Sequence, residues 1–191
     1  MKKANFVLQK NSQRCIFYLM KVLIIGPLGA GKSSLAYQLN KKFHLPRLNL
    51  DEVCRIKESG KYRPQKGQHS LIKKFLTAHP SWVMEGCQKN LYEQVKPDLI
   101  IDMRLHRLTA IFRFTKRFLK AKKLIGKKIP SDLPVQAYHY RPITFSKIKE
   151  WDKANCEINA QIGLFLRITS TPVIRCRGYR DYAKVFSYLS K

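Results

Sequence analysis

Acidic side chains are scarce in this chain: 12 Asp and Glu stand against 38 Lys and Arg in 191 residues, for a formal net charge of +26. Such an imbalance favours phosphate-rich partners without saying which, and it fits a nucleic-acid binder or a generally basic proteome alike. Cysteine is present but unpatterned. Cys15, Cys54, Cys87, Cys156 and Cys176 are odd in number and contain no C-x-x-C pair, so neither a disulfide framework nor a zinc site is indicated. That usage fits a reducing cytoplasm. The five histidines are dispersed without metal-ligand spacing, and no Ser-His-Asp or Cys-His arrangement stands out. No uninterrupted apolar run is long enough to span a bilayer; the nearest, Cys15 to Ile25, is broken by Lys21. Internal repeats and low-complexity stretches are also missing, while 45% hydrophobic and 11% aromatic content fit a folded globular chain.

The first nineteen residues are basic and then briefly apolar. They lack a small-residue cleavage site, and their apolar part leads straight into the next strand, which argues against a signal peptide. Met20 makes a sensible start, so residues 1–19 are expected to be an extension and residues 20–191 the folded domain.

What the chain does contain is Gly26-Pro-Leu-Gly-Ala-Gly-Lys-Ser33, a G-x-x-x-x-G-K-[ST] phosphate loop. Lys21 to Ile25 before it has the apolar, β-branched character of a buried strand. Leu35, Leu39 and Phe43 after it have helical spacing. Strand, glycine loop and helix together predict a nucleoside triphosphate site formed by Gly26, Gly29, Ala30, Gly31, Lys32, Ser33 and Ser34. Backbone N–H groups would cradle phosphate oxygens at the helix N-terminus. Lys32 would reach the β- and γ-phosphates, and the Ser33 hydroxyl would join a Mg²⁺ shell.

Further strands are expected at 46–50, 82–86, 98–102 and 172–176. Residues 54–68 form a polar connection ahead of a helix that carries Leu71 to Leu76 and stops near Pro80. Helices are expected at about 105–123, 145–168 and 181–189, with Trp82 and Trp151 in the core. This alternation implies a parallel sheet with helices on both faces. Ligands then bind beyond the carboxyl ends of the strands. Asp51, Glu85-Gly86, Asp102 and Arg177 should gather there with the loop.

Several segments resemble the adenylate kinase-like P-loop kinases, in particular the small bacterial branch that includes FlaR-type DNA topology modulation proteins. They are Ile24 to Ala36, Leu48-Asn-Leu-Asp-Glu52, Trp82-Val-Met-Glu-Gly86, Asp98 to Met103, and Arg113-Phe-Thr-Lys-Arg117. The resemblance implies a P-loop NTPase fold, three layers α/β/α around a five-stranded parallel sheet as in nucleoside monophosphate kinases, with a helical lid at about 105–142. It also implies phosphoryl transfer from ATP-Mg²⁺ to a nucleotide or other small acceptor. In its terms Glu85 holds Mg²⁺ through water, with a helix cap toward Asn90 as the structural alternative. Asp51 sits where relatives bind the acceptor and would orient its hydroxyl, or else it is a helix N-cap over Glu52 to Cys54. Arg113 and Arg117 would clamp ATP from the lid side. The chain departs from the family after Gly86, where Cys87-Gln88-Lys89 stand.

The region from Arg104 to Lys128 holds no acid. It suits the arginine clamp, a solvated face, or a helix lying along a nucleic-acid backbone. Phe112, Phe114 and Phe118 at helical spacing are expected in the core rather than as a stacking platform. His139-Tyr140-Arg141 would stack, close over the site, or pack on the body. A nucleic-acid-associated P-loop ATPase therefore stands beside the kinase as an alternative, and a kinase of polynucleotide ends would join the two.

Overall fold

A computed structural model describes residues 20–56, 59, 61–92, 94–122 and 145–190. The expected extension at 1–19, most of the expected lid beyond residue 122, and the His139-Tyr140-Arg141 segment lie outside the described residues. Five strands form one sheet: β1 (Lys21–Ile25), β2 (Arg47–Asn49), β3 (Trp82–Gly86), β4 (Leu99–Met103) and β5 (Val173–Cys176). Their order is β2-β3-β1-β4-β5, with every neighbouring pair parallel. The helices are α1 (Lys32–Phe43), α2 (Leu50–Val53), α3 (Gln65–Ala78), α4 (Lys89–Tyr92), α5 (Arg107–Lys122), α6 (Phe145–Ile168) and α7 (Tyr182–Leu189). This is the expected three-layer α/β/α arrangement.

Alternation along β1 explains the layers, because successive side chains point to opposite faces. Val22 and Ile24 join Val83, Leu99 and Ile101 in a core closed by Leu35 and Leu39 of α1 and Val185 and Leu189 of α7. Leu23 and Ile25 join Met84 and Ile100 on the other face, covered by Ile72 of α3, Leu91 of α4, and Ile162 and Phe165 of α6. All four β1 side chains are fully buried. Each contributes about 1.5–3 kcal/mol of burial, so a charge at Leu23 would break the sheet at its centre. Trp82 and Trp151 are both buried, as expected.

Three local features differ from the expectation. The second strand stops at Asn49, whose side chain accepts the Asp51 backbone N–H at 2.9 Å and thereby caps α2. Asn49 is therefore the cap, and Asp51 lies inside the helix instead of ahead of it. The connection expected to run to Gln68 is already helical from Gln65. Pro64 precedes that helix at φ −54°, where its missing N–H costs nothing. Arg63 closes the remaining loop by donating to the carbonyls of Val53 (3.1 Å) and Arg55 (3.2 Å). Finally, a short 3-10 turn at Tyr179–Asp181 precedes α7.

Among the described residues, no helix is long and apolar enough to cross a membrane.

Candidate active site

β1 delivers the chain to the sheet's carboxyl edge between the end of β3 and the end of β4, where Ile25 registers with Gly86 and Asp102. Gly26 then turns at φ +152°, and a Cβ there would lie 2.5 Å from the Met103 carbonyl oxygen. Only a hydrogen fits that approach. Gly31, at φ +97°, ends the loop and starts α1 at Lys32. The loop thus occupies the positive end of a twelve-residue helix.

The loop's carbonyls are engaged by donors from several elements. Lys32 is buried, and its Nζ donates to the Gly26 and Pro27 carbonyls, both at 3.0 Å. Arg113 Nη1 of α5 donates to Gly29 O (3.3 Å) and Ala30 O (3.5 Å), and the Tyr182 hydroxyl of α7 donates to Gly31 O (3.2 Å). Carbonyls occupied in this way suit a loop whose N–H groups serve an anion. Ser33 and Ser34 follow in the first turn of α1, half-buried.

Acids occupy the β3 side. Glu85 is 1% exposed; its Oε2 accepts the Ser33 hydroxyl at 3.0 Å, and Arg47 Nη2 stands 3.5 Å from Oε1. Oε1 has no hydrogen-bond partner. Burial raises the Glu85 pKa, opposed first by the Lys32 charge and then by the Ser33 hydrogen bond and Arg47. The hydrogen-bonded partner of Glu85 is thus Ser33 of α1. Asp51 comes to the same place from α2, with Oδ1 3.6 Å from where a Gly86 side chain would begin. That Cβ would also lie 2.8 Å from Leu50 Cβ, so glycine is what lets α2 seat on the end of β3. Cys87 Sγ donates to Asp51 Oδ1 at 3.4 Å, and burial with the Asp51 charge pushes its thiol up to about 12.

The β4 side is basic, and its buried acid, Asp102, likewise keeps one oxygen, Oδ1, without a hydrogen-bond partner. Asp102 reaches the sheet edge as expected, but Arg104 binds it at 2.7 Å and Arg175 lies at 3.9 Å. Arg113 rests 5.4 Å from the Tyr179 ring. Arg117 lies four residues further along α5, and its side chain is outside the described residues, as are those of Phe114 and Phe118. Phe112 is 66% exposed, against the expectation of a core ring. α5 turns that face outward while Ala110 alone of its first turn is buried. Arg177 is exposed, with its N–H bonded to Asp181 at 2.7 Å.

Two contacts escaped the sequence reading. Tyr182 follows the 3-10 turn without a motif around it. Asn155 of α6 binds Leu28 in the loop crest, with Leu28 N–H donating to Oδ1 at 2.8 Å. Its one sequence signal was an amide in an otherwise apolar stripe between Trp151 and Ile158.

Among the described residues, no three His, Cys, Asp or Glu side chains converge on a metal-sized point. Ser33 and Glu85 Oε1, which accepts no hydrogen bond, still fit a hard cation that takes its other ligands from phosphate and water.

No family model matches the chain. It is similar to the adenylate kinase of Rickettsia bellii (strain RML369-C), at 30% identity over 40% of this chain and 44% of that protein. The chain therefore spans under half of that relative. Its fold is similar to that of the deoxyadenosine kinase from M. mycoides solved with bound dATP, with a TM-score of 0.55 over 90% of this chain and 100% of that one. At 14% identity, that likeness shows the fold alone, three layers α/β/α around a parallel sheet.

Proposed function

We propose that this chain is a nucleotide kinase-like phosphotransferase that moves the γ-phosphate of ATP-Mg²⁺ to a small acceptor. The observation that carries the reading is the juxtaposition of Lys32, Ser33 and Glu85 at the end of β1, with Asp51 beside them. Phosphoryl transfer needs alignment and charge neutralisation more than covalent chemistry. The backbone from Gly26 to Ser34 cradles the phosphates, and Lys32 exchanges its two loop carbonyls for phosphate oxygens. Ser33 and Glu85 are the residues that would hold Mg²⁺, which would supply charge neutralisation to the triphosphate when bound. Asp51 accepts a hydrogen bond from the acceptor and orients it, taking the proton where the attacking group is a hydroxyl. Arg113, already at the loop, neutralises charge on the transferring group.

The adenylate kinase likeness supports a nucleotide acceptor. The test is transfer of labelled γ-phosphate to nucleoside monophosphates, nucleosides, small metabolites and 5′-hydroxyl oligonucleotides, with Lys32→Ala as control. A labelled acceptor lost in the control supports the reading; wild-type transfer retained by Lys32→Ala overturns it.

One observation favours a second reading. Phe112 is exposed four residues before exposed Lys116 on an acid-free helix, which suits a nucleic-acid-associated P-loop ATPase. Free labelled phosphate released faster with DNA or RNA, without a labelled acceptor, would select it.

A further inference from the structure

The crest of the phosphate loop is held by a helix 127 residues downstream. Leu28 N–H donates to Asn155 Oδ1 at 2.8 Å, and Asn155 Nδ2 faces the Leu28 carbonyl at 3.5 Å. One amide thus meets both backbone polar groups of one loop residue. Asn155 is 6% exposed and lies on the core-facing stripe of α6, where an amide is costly unless bonded.

The neighbours on α6 extend the same grip. Trp151 Cζ2 lies 3.9 Å from where a Gly29 side chain would begin. Asp152 pairs with Arg107 at the start of α5, Nε to Oδ1 at 2.8 Å. Asn159 accepts from Arg104 at 3.3 Å. Two turns of α6 therefore join the loop crest to the root of the helix that carries Arg113. Leu28 stands between Pro27 and Gly29, and Gly29 at φ +82° has wide conformational freedom. A loop free to sample other shapes would have to be ordered by its ligand, at a cost in affinity.

We propose that Asn155 is a positioning residue for phosphate recognition: it fixes the Leu28 backbone so that the loop crest has its anion-receiving shape before nucleotide arrives. The inference rests on the phosphotransferase reading above, but its first readout does not. In Asn155→Ala the Leu28 amide exchanges with solvent deuterium much faster than in wild type, with no nucleotide present, while the β1 amides stay protected. ATP affinity falls on the order of tenfold, KM for ATP rises alike and kcat changes little. Asn155→Asp is the companion that keeps the acceptor. Its Leu28 amide stays protected, whereas its added charge weakens ATP binding by an amount that shrinks as salt rises.

Unchanged ATP affinity in Asn155→Ala despite fast Leu28 exchange would overturn the proposal while leaving the phosphotransferase reading intact. An Asn155→Asp chain whose Leu28 amide stays protected but whose loss of ATP affinity persists undiminished at high salt would overturn it too, including where Asn155→Ala fails to fold. A wild-type chain that bound no ATP would overturn both.

Discussion

On the β3 side of the phosphate loop the buried acid is bonded to the loop serine, with Arg47 beside it; on the β4 side the buried acid is bonded to Arg104, and cations are held by partners. Glu85 is buried with one oxygen unbonded, and Asp51 stands beside it with a thiol as a donor. Across the loop, Arg104 has Asp102 and Asn159, Arg107 has Asp152, and Arg113 has two loop carbonyls and a Tyr179 ring. Each side keeps one buried carboxylate oxygen without a hydrogen bond, Glu85 Oε1 and Asp102 Oδ1, but Glu85 is the acid bonded to Ser33 of the loop helix. A buried, under-bonded carboxylate costs stability. At Glu85 the position against Ser33 would give that cost a use, because a cation-phosphate ligand would supply the missing partner. The basic side is tied down, which presents its charge at fixed places.

The contrast is broken most severely at its centre. Lys32→Ala should lower transfer by about a thousandfold or more. Glu85→Gln should lower it comparably. In the absence of nucleotide, however, Glu85→Gln should melt at or above wild type, because it removes a buried charge that burial already disfavours. A thermal melt and a turnover assay on the same sample separate the two effects. Asp51→Asn should cost about a hundredfold in kcat and leave ATP affinity near wild type, as expected for a group that acts on the acceptor. Arg113→Ala should cost less, on the order of tenfold, because other donors still hold the loop.

The smallest effect lies in the thiols on both sides. Burial lifts Cys87 from the ordinary value of 9.0 to about 12, and Cys54 and Cys176 to about 11. Between those limits the folded chain holds protons that the unfolded chain has lost. Stability is therefore fully present below pH 9 and falls as pH rises toward 11 and 12. Melting temperatures of wild type and Cys87→Ala from pH 8 to 11 should draw closer on the alkaline side. At pH 8 an alkylating reagent should modify exposed Cys156 well before Cys54, Cys87 or Cys176, as peptide mass spectrometry would read.

Much of the architecture was legible in local pattern. Lys21 to Ile25 is apolar enough to be a central strand, and the glycine spacing after it admits one loop geometry. Alternating strands and helices imply the parallel sheet, which in turn brings Glu85 and Asp51 to one edge. What stayed hidden depends on which side chain reaches across. Asn49, rather than Asp51, caps α2, because both residue types cap well and only backbone direction chooses between them. Phe112 has core-like spacing on α5 but faces outward, since amphipathic pattern cannot say which stripe finds a neighbour. The Asn155 and Tyr182 contacts join residues more than a hundred positions apart, beyond any motif.

The central claim is that the acid on the β3 side serves the triphosphate held by the loop. It is tested most directly by titrating ATP into wild type and Glu85→Gln, each with Mg²⁺ and with EDTA. The account predicts that Mg²⁺ tightens ATP binding to wild type, whereas Glu85→Gln keeps its EDTA affinity and loses that increment. An equal Mg²⁺ increment in both proteins would contradict it.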